Sequence, residues 1–164
     1  MPSSSQAVGS EIRSEIMKSR TIGNGTGVFP KSKIDFADIY SRFIHNLGKN
    51  TGSVTSFLGT ARLESADGKK KIKYLFMESY ERHANKTLNR ICNETKKKYG
   101  LTGISIVHAL GRFRPGEPVV LVLVSAPRRS QAYLALKEAV ERYKSEPALF
   151  KQEVYLNGTS RWIS

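Results

Sequence analysis

Val119-Val120-Leu121-Val122-Leu123-Val124 places six apolar residues in a row, four of them β-branched valines. A short run with no polar alternation marks a strand buried on both faces, since neither side meets water. Such a strand needs a neighbour along each edge. Upstream, Pro115-Gly116 favours a tight turn, and residues 103–110 read as the strand that enters it. Downstream, Ser130 starts a helix whose inner face is Ala132, Leu136, Ala139, Val140 and Tyr143, and Pro147 limits it.

Working outward, residues 152–155 and 160–163 form a hairpin across Asn157-Gly158. Toward the N-terminus, a helix over 83–99 presents Ala84, Leu88, Ile91, Thr95 and Tyr99 on one face and stops at Gly100. Residues 51–58 and 72–77 read as strands, and Asp67-Gly68 between them predicts a hairpin with a mobile loop. A helix capped by Asp35 or Ser32 runs to about residue 47, with Phe36, Ile39, Phe43 and Leu47 at helical spacing and Gly48 as its stop. Strands and helices interleave through connections too short for crossovers. The expectation is one sandwich-like α+β domain over 30–164, with a mixed, largely antiparallel sheet and about three helices. Residues 1–29, with Ser3-Ser4-Ser5 and Gly23-Asn24-Gly25-Thr26-Gly27, read as a disordered tail apart from a short helix near 11–19.

The 164 residues include 27 Lys and Arg against 14 acidic residues, a net charge of +13. The tail holds three basic and two acidic residues, so the excess belongs to the domain. A balance this basic points to an anionic partner or substrate. No apolar run approaches the ~20 residues needed to cross a bilayer. The N-terminus lacks the apolar core of a signal peptide, so the expected compartment is the cytoplasm. A single cysteine, Cys92, excludes an internal disulfide and paired-cysteine metal sites. Its place at the edge of an apolar helix face makes it a small buried residue. His45, His83 and His108 share no metal-ligand spacing, so neither metal nor cofactor is expected.

Several stretches, in order, resemble the catalytic (large) subunit family of molybdopterin synthase. Phe57-Leu58-Gly59-Thr60-Ala61-Arg62 is similar to that family's glycine-then-arginine strand end. Residues 72–80, IKYLFMESY, resemble its second strand. Val107-His108-Ala109-Leu110-Gly111 followed by Pro115-Gly116-Glu117 resembles its strand-turn-strand. Val124-Ser125-Ala126-Pro127-Arg128-Arg129 resembles a segment that usually reads S-x-H-R. Tyr143-Lys144 and Phe150-Lys151-Gln152-Glu153 resemble its paired lysine motifs, and Gly158 with Trp162 its close.

The resemblance covers about 34–164 and implies an α/β hammerhead fold. It implies a homodimer with a ubiquitin-like sulfur-carrier small subunit on each copy, the carrier's thiocarboxylated tail entering the active site. The implied reaction turns cyclic pyranopterin monophosphate into molybdopterin. By that resemblance Lys144 and Lys151 are catalytic, as proton-transfer groups and stabilisers of the thiocarboxylate oxyanion. A lysine suits this role because burial and nearby cations tune its proton affinity. Arg62, Arg128, Arg129, Gln152 and Glu153 are assigned to binding the substrate, Arg62 by anchoring its phosphate or its pterin, since arginine's planar fork grips phosphate or carboxylate. Two departures stand out. Arg128 occupies the place of the family's usual histidine, and arginine does not release its proton. The chain also ends two residues after Trp162, where relatives usually continue.

Two other readings fit the composition. One is a nucleic-acid-binding α+β domain using Lys69-Lys70-Lys71 and Lys96-Lys97-Lys98. Against it, strand 119–124 carries no aromatic pair for stacking bases. The other is a scaffold that keeps the fold and has lost activity through Arg128. Taken singly, each lysine at an element end is an ordinary solvated residue; the ordered set of motifs is what singles out Lys144 and Lys151.

Overall fold

Every residue from Val119 to Ala126 is buried. In the computed structural model, which describes residues 25–163, this segment lies inside a seven-stranded sheet. The elements are β1 (Gly27–Pro30), one 3-10 turn (Lys31–Lys33), α1 (Phe36–His45), β2 (Ser53–Thr60), β3 (Ile72–Ser79), α2 (Glu81–Tyr99), β4 (Gly103–Phe113), β5 (Pro118–Ala126), α3 (Arg129–Ser145), β6 (Leu149–Tyr155) and β7 (Ser160–Ile163). The order across the sheet is β2-β5-β4-β3-β6-β7, with β1 added alongside β4. β1 runs parallel to β4, and the other pairings are antiparallel. The expected helix near 11–19 lies outside the described residues.

The sheet is covered on both faces, as the unbroken apolar run requires. Val120, Val122, Val124 and Ala126 pack against α2 and α3, through Ala84, Leu88, Ile91, Ala132, Ala135 and Ala139. Leu121 and Leu123, pointing the other way, pack with Val107 against Ile39, Phe36 and Phe43 of α1. A third cluster joins Ala61, Leu75, Met77 and Phe113. The alanines on α3 let that helix lie close to the sheet. Arg142 of α3 ties it to α2 by pairing with Glu94 at 2.6 Å, and Lys98 of α2 pairs with Glu138 at 2.7 Å. Cys92 is buried as expected, and desolvation pushes its thiol pKa upward.

Two expectations are corrected. Strands β2 and β3 do not form a hairpin. β2 pairs with β5, whose free edge must be filled, and β3 lies between β4 and β6. The Asp67-Gly68 turn closes only a single bridge between Glu64 and Lys71. That loop is tied by its own groups, with Ser65 Oγ donating to Asp67 and Lys69 N donating to the same carboxylate. The tail boundary also moves. Gly27–Pro30 is a strand of the sheet, Val28 is only 2% exposed, and its N–H donates to Asn85 Oδ1 at 2.8 Å. Thr26 Oγ1 accepts from Ile106 N. Val28-Phe29 is a short β-prone pair hidden in a glycine-rich stretch, so its apolar content alone did not identify a strand.

Candidate functional site

Lys144 lies in the last turn of α3, directly after Tyr143. Tyr143 is buried, at 5% exposure, and desolvation pushes its phenol pKa up to about 12. Its ring lies 6.4 Å from that of Phe57 on β2 and 6.1 Å from His108 on β4. Lys144 Nζ stands 5.5 Å from the Phe57 ring centroid, a cation over an aromatic face. Phe57, Tyr143 and His108 thus floor the region from which Lys144 projects. His108 is itself buried, with Nδ1–H donating to the Ala109 carbonyl at 2.9 Å, and burial lowers its pKa to about 4. It is a neutral part of that floor.

Lys151 is half-buried near the start of β6, opposite Met77 on β3 and Ile163 on β7. Side chains alternate along a strand, so Lys151 shares a face with Leu149 and Glu153, and Gln152 points to the other. Leu149 packs against the cluster that contains Tyr143, the neighbour of Lys144. Glu153 is buried at 2% exposure and accepts a hydrogen bond from Tyr155 Oη at 2.9 Å. Gln152 lies in register with Phe76 and Trp162, and its Nε2 donates to Ser160 Oγ. The two residues expected to bind substrate together therefore face opposite ways, and Glu153 is committed to an internal contact.

Arg62 is exposed, one residue beyond buried Ala61 at the end of β2. Arg128 and Arg129 lie elsewhere, at the N-terminal end of α3. Arg128 N donates to Gln131 Oε1 at 3.1 Å, closing the first turn of that helix. With Gly52, Ser53, Pro127, Ser130 and Tyr133 the two arginines line a cleft of about 680 Å³. Two guanidinium groups beside a helix N-terminus form a surface suited to an anion. Sixteen residues of helix separate Arg128 from Lys144, about 24 Å at 1.5 Å per residue. The structure thus holds Arg128 and Arg129 at the opposite end of α3 from Lys144.

Three contributors were not foreseen. Phe57 was visible within its motif but carried no sign that it would lie under a lysine. Gly52 passes so close to Pro127 that a Cβ would meet the Pro127 carbonyl oxygen at 2.3 Å, so only glycine lets β2 begin there. Tyr133, 60% exposed, forms a wall of the arginine cleft. In the two basic runs, Lys71 and Lys98 are paired with Glu64 and Glu138, which leaves less free charge than the sequence implies.

A basic α+β domain with lysines and arginines gathered at the ends of its elements is built to handle anions. The MoaE protein family matches residues 30–146, and the chain belongs to that family. It is 37% identical over 111 residues to the molybdopterin synthase catalytic subunit of Pyricularia oryzae. That match covers 68% of this chain and 60% of the fungal protein, so the chain spans less than two thirds of that relative. The structure of molybdopterin synthase from Staphylococcus aureus superposes with a TM-score of 0.75 at 28% identity, covering 88% of this chain and 99% of that one. The complex of subunits 1 and 2 of molybdopterin-converting factor from Helicobacter pylori shares the fold, with a TM-score of 0.61 at 19% identity over 84% of this chain and 86% of that one.

Proposed function

We propose that this protein is the catalytic subunit of a molybdopterin synthase, moving sulfur from a thiocarboxylated small subunit onto cyclic pyranopterin monophosphate. The observation that carries this reading is the family match over 30–146, which contains Arg62, Arg128, Arg129 and Lys144. Lys151 lies beyond the matched stretch, on the strand that follows.

The chemistry asks for cations beside two anions, a phosphate and a thiocarboxylate. Lys144 rises over an aromatic floor, where displaced water strengthens its field on a bound anion. Lys151 is half-buried and can hold or pass a proton within a limited, partly dry volume. Arg62 supplies the phosphate anchor, since its fork stays charged at any working pH. The thiocarboxylated tail of the small subunit enters beside the two lysines, which stabilise the negative oxygen that develops as sulfur leaves the carbonyl carbon.

The distance along α3 supports a site shared between two chains. Along α3 the backbone of Arg128 stands about 24 Å from that of Lys144, and that of Arg129 about 22 Å, so within one chain only extended side chains could approach a shared small substrate. A homodimer resolves this if the arginine cleft of one copy faces the lysines of its partner. The partner protein is supported by the Helicobacter pylori complex, whose two subunits assemble around the same fold. The deciding experiment incubates the protein with thiocarboxylated small subunit and pterin precursor and assays molybdopterin. Product formation supports the reading; binding of the small subunit without turnover would leave only a scaffold.

A further inference from the structure

The turn between β4 and β5 grips the strand end that carries Arg62. Gly116 N donates to the Ala61 carbonyl at 2.8 Å, and Ala61 N donates to the Glu117 carbonyl at 2.9 Å. This reciprocal pair fixes Ala61, which is 4% exposed and packed in the cluster of Leu75, Met77 and Phe113. Gly116 has φ +89°, a conformation that favours glycine. Arg62 has no hydrogen bond or ion pair of its own among the described residues. Its reach is therefore governed by where its backbone is held.

The turn is in turn closed by one side chain. Glu117 Oε2 accepts from Arg114 N at 2.6 Å and from Lys31 Nζ at 2.7 Å. Lys31 Nζ also donates to the Arg112 carbonyl at 3.0 Å and lies 5.0 Å from the Phe113 ring centroid. The hydrogen bond from Lys31, with that from Arg114 N, holds the Glu117 carboxyl below its ordinary pKa. A continuous path of contacts thus runs from Lys31 through Glu117 and the turn to Ala61 and Arg62.

We infer that Glu117, held by Lys31, is a positioning residue for Arg62, fixing the turn that clamps the strand end from which that arginine reaches the substrate. The inference rests on the reading that Arg62 anchors the precursor's phosphate. It explains the turn chemistry as part of the binding apparatus, acting at a distance through two backbone hydrogen bonds. Neither Glu117 nor Lys31 touches substrate in this account.

The test is steady-state kinetics with thiocarboxylated small subunit and varied pterin precursor on four proteins: Arg62→Ala, Glu117→Ala, Glu117→Gln and the double variant Arg62→Ala/Glu117→Ala. Arg62→Ala should raise KM for the precursor about tenfold, the loss of one charge-assisted contact. Glu117→Ala should raise it about threefold to tenfold with kcat within about twofold, because binding geometry is loosened and the reacting groups are untouched. Glu117→Gln keeps an acceptor for Arg114 N and should recover most of the loss. The double variant should be no worse than Arg62→Ala alone, since a clamp has nothing left to position. If Glu117→Ala is too unstable to assay, Lys31→Met removes the outer support and should give a smaller shift of the same kind. An unchanged KM in Arg62→Ala overturns the reading of Arg62 itself. A raised KM in Arg62→Ala with an unchanged KM in Glu117→Ala overturns the positioning role alone, as does an equal penalty from Glu117→Ala in the presence and absence of Arg62.

Discussion

Val28 lies opposite His108 across the parallel pairing of β1 with β4, and both are buried. A segment read from sequence as tail thus covers a histidine in the heart of the sheet. A chain starting at Pro30 loses this strand, the hydrogen bond from Val28 N to Asn85, and the support of Thr26 for Ile106 N. Its unfolding midpoint in urea should fall clearly below that of the full chain. Val28→Ala alone should cost about 2 kcal/mol, the loss of a well-packed buried side chain. Identical unfolding curves for the full and shortened chains would return residues 25–29 to the tail.

His108 makes stability depend on pH in a definite direction. Its pKa is lowered from 6.5 to about 4 by burial. As pH falls through 6.5 the unfolded chain takes up a proton at this residue and the folded chain does not. Stability from this group is therefore full above about pH 6.5 and declines toward pH 4, by ~3 kcal/mol at most. His108→Gln should lower stability at pH 7, because the ring packing on Tyr143 is lost, and should flatten the decline between pH 6.5 and 4. Chemical denaturation across that range checks it. An equally steep decline in the variant would assign the acid sensitivity to other groups.

How far the sequence could be read is clear from β5 and from Arg128. A short apolar run rich in valine and preceded by a Pro-Gly turn fits a strand covered on both faces better than a helix, so the centre of the fold was legible from residues 119–124. Helical periodicity placed the buried faces of α2 and α3 for the same reason. Strand partnership was not legible, since β2 could pair with β3 or β5 by composition, and only the need to fill the edge of β5 decides. The site residues were legible as types, because cations in an ordered motif set suggest anion chemistry. Their grouping was legible only in part: the helix expected between Ser130 and Pro147 already sets Arg128 and Lys144 at its two ends, but nothing in the spacing shows which other side chains stand beside each. Nor could the motif tell that Gln152 and Glu153 point in opposite directions, or that Glu153 is already bonded to Tyr155.

Lys151→Ala should reduce sulfur transfer by at least about a hundredfold, the usual scale for a lost proton-transfer group. Thermal stability and affinity for the small subunit should be nearly unchanged. Lys144→Ala should be similarly impaired and should accumulate half-sulfurated product. Wild-type turnover in either protein would remove that lysine from the mechanism.

If the arginine cleft completes the site of a second copy, two inactive variants should rescue one another. Lys151→Ala and an Arg129→Ala protein, each nearly inactive, would be unfolded together and refolded as a mixture. Half of the dimers are then mixed, and each mixed dimer holds one site with both residues intact. Activity should return to about a quarter of the wild-type level. Recovery no greater than the sum of the two separate preparations would mean that each site draws both residues from one chain, against the helix-length argument.

By the resemblance drawn from its sequence, Arg128 takes the place of the family's usual histidine, and two roles are open for that position. Arg128 caps α3 through its backbone N–H to Gln131, while its side chain lines the cleft beside Arg129 and Ser130. That is an anion-binding setting, with a helix N-terminus and a second guanidinium next to it. The capping hydrogen bond comes from the main chain, so Arg128→His should leave α3 intact. If the position serves to hold an anion, histidine is the weaker donor, and KM for the pterin precursor should rise by roughly threefold to tenfold with no gain in kcat. If the position serves to move a proton, arginine blocks that step, and histidine, titrating near neutrality, should restore it. A rise in kcat of about tenfold or more in Arg128→His would establish the second role. We expect the first outcome, because charge and helix end at this cleft both serve to bind an anion.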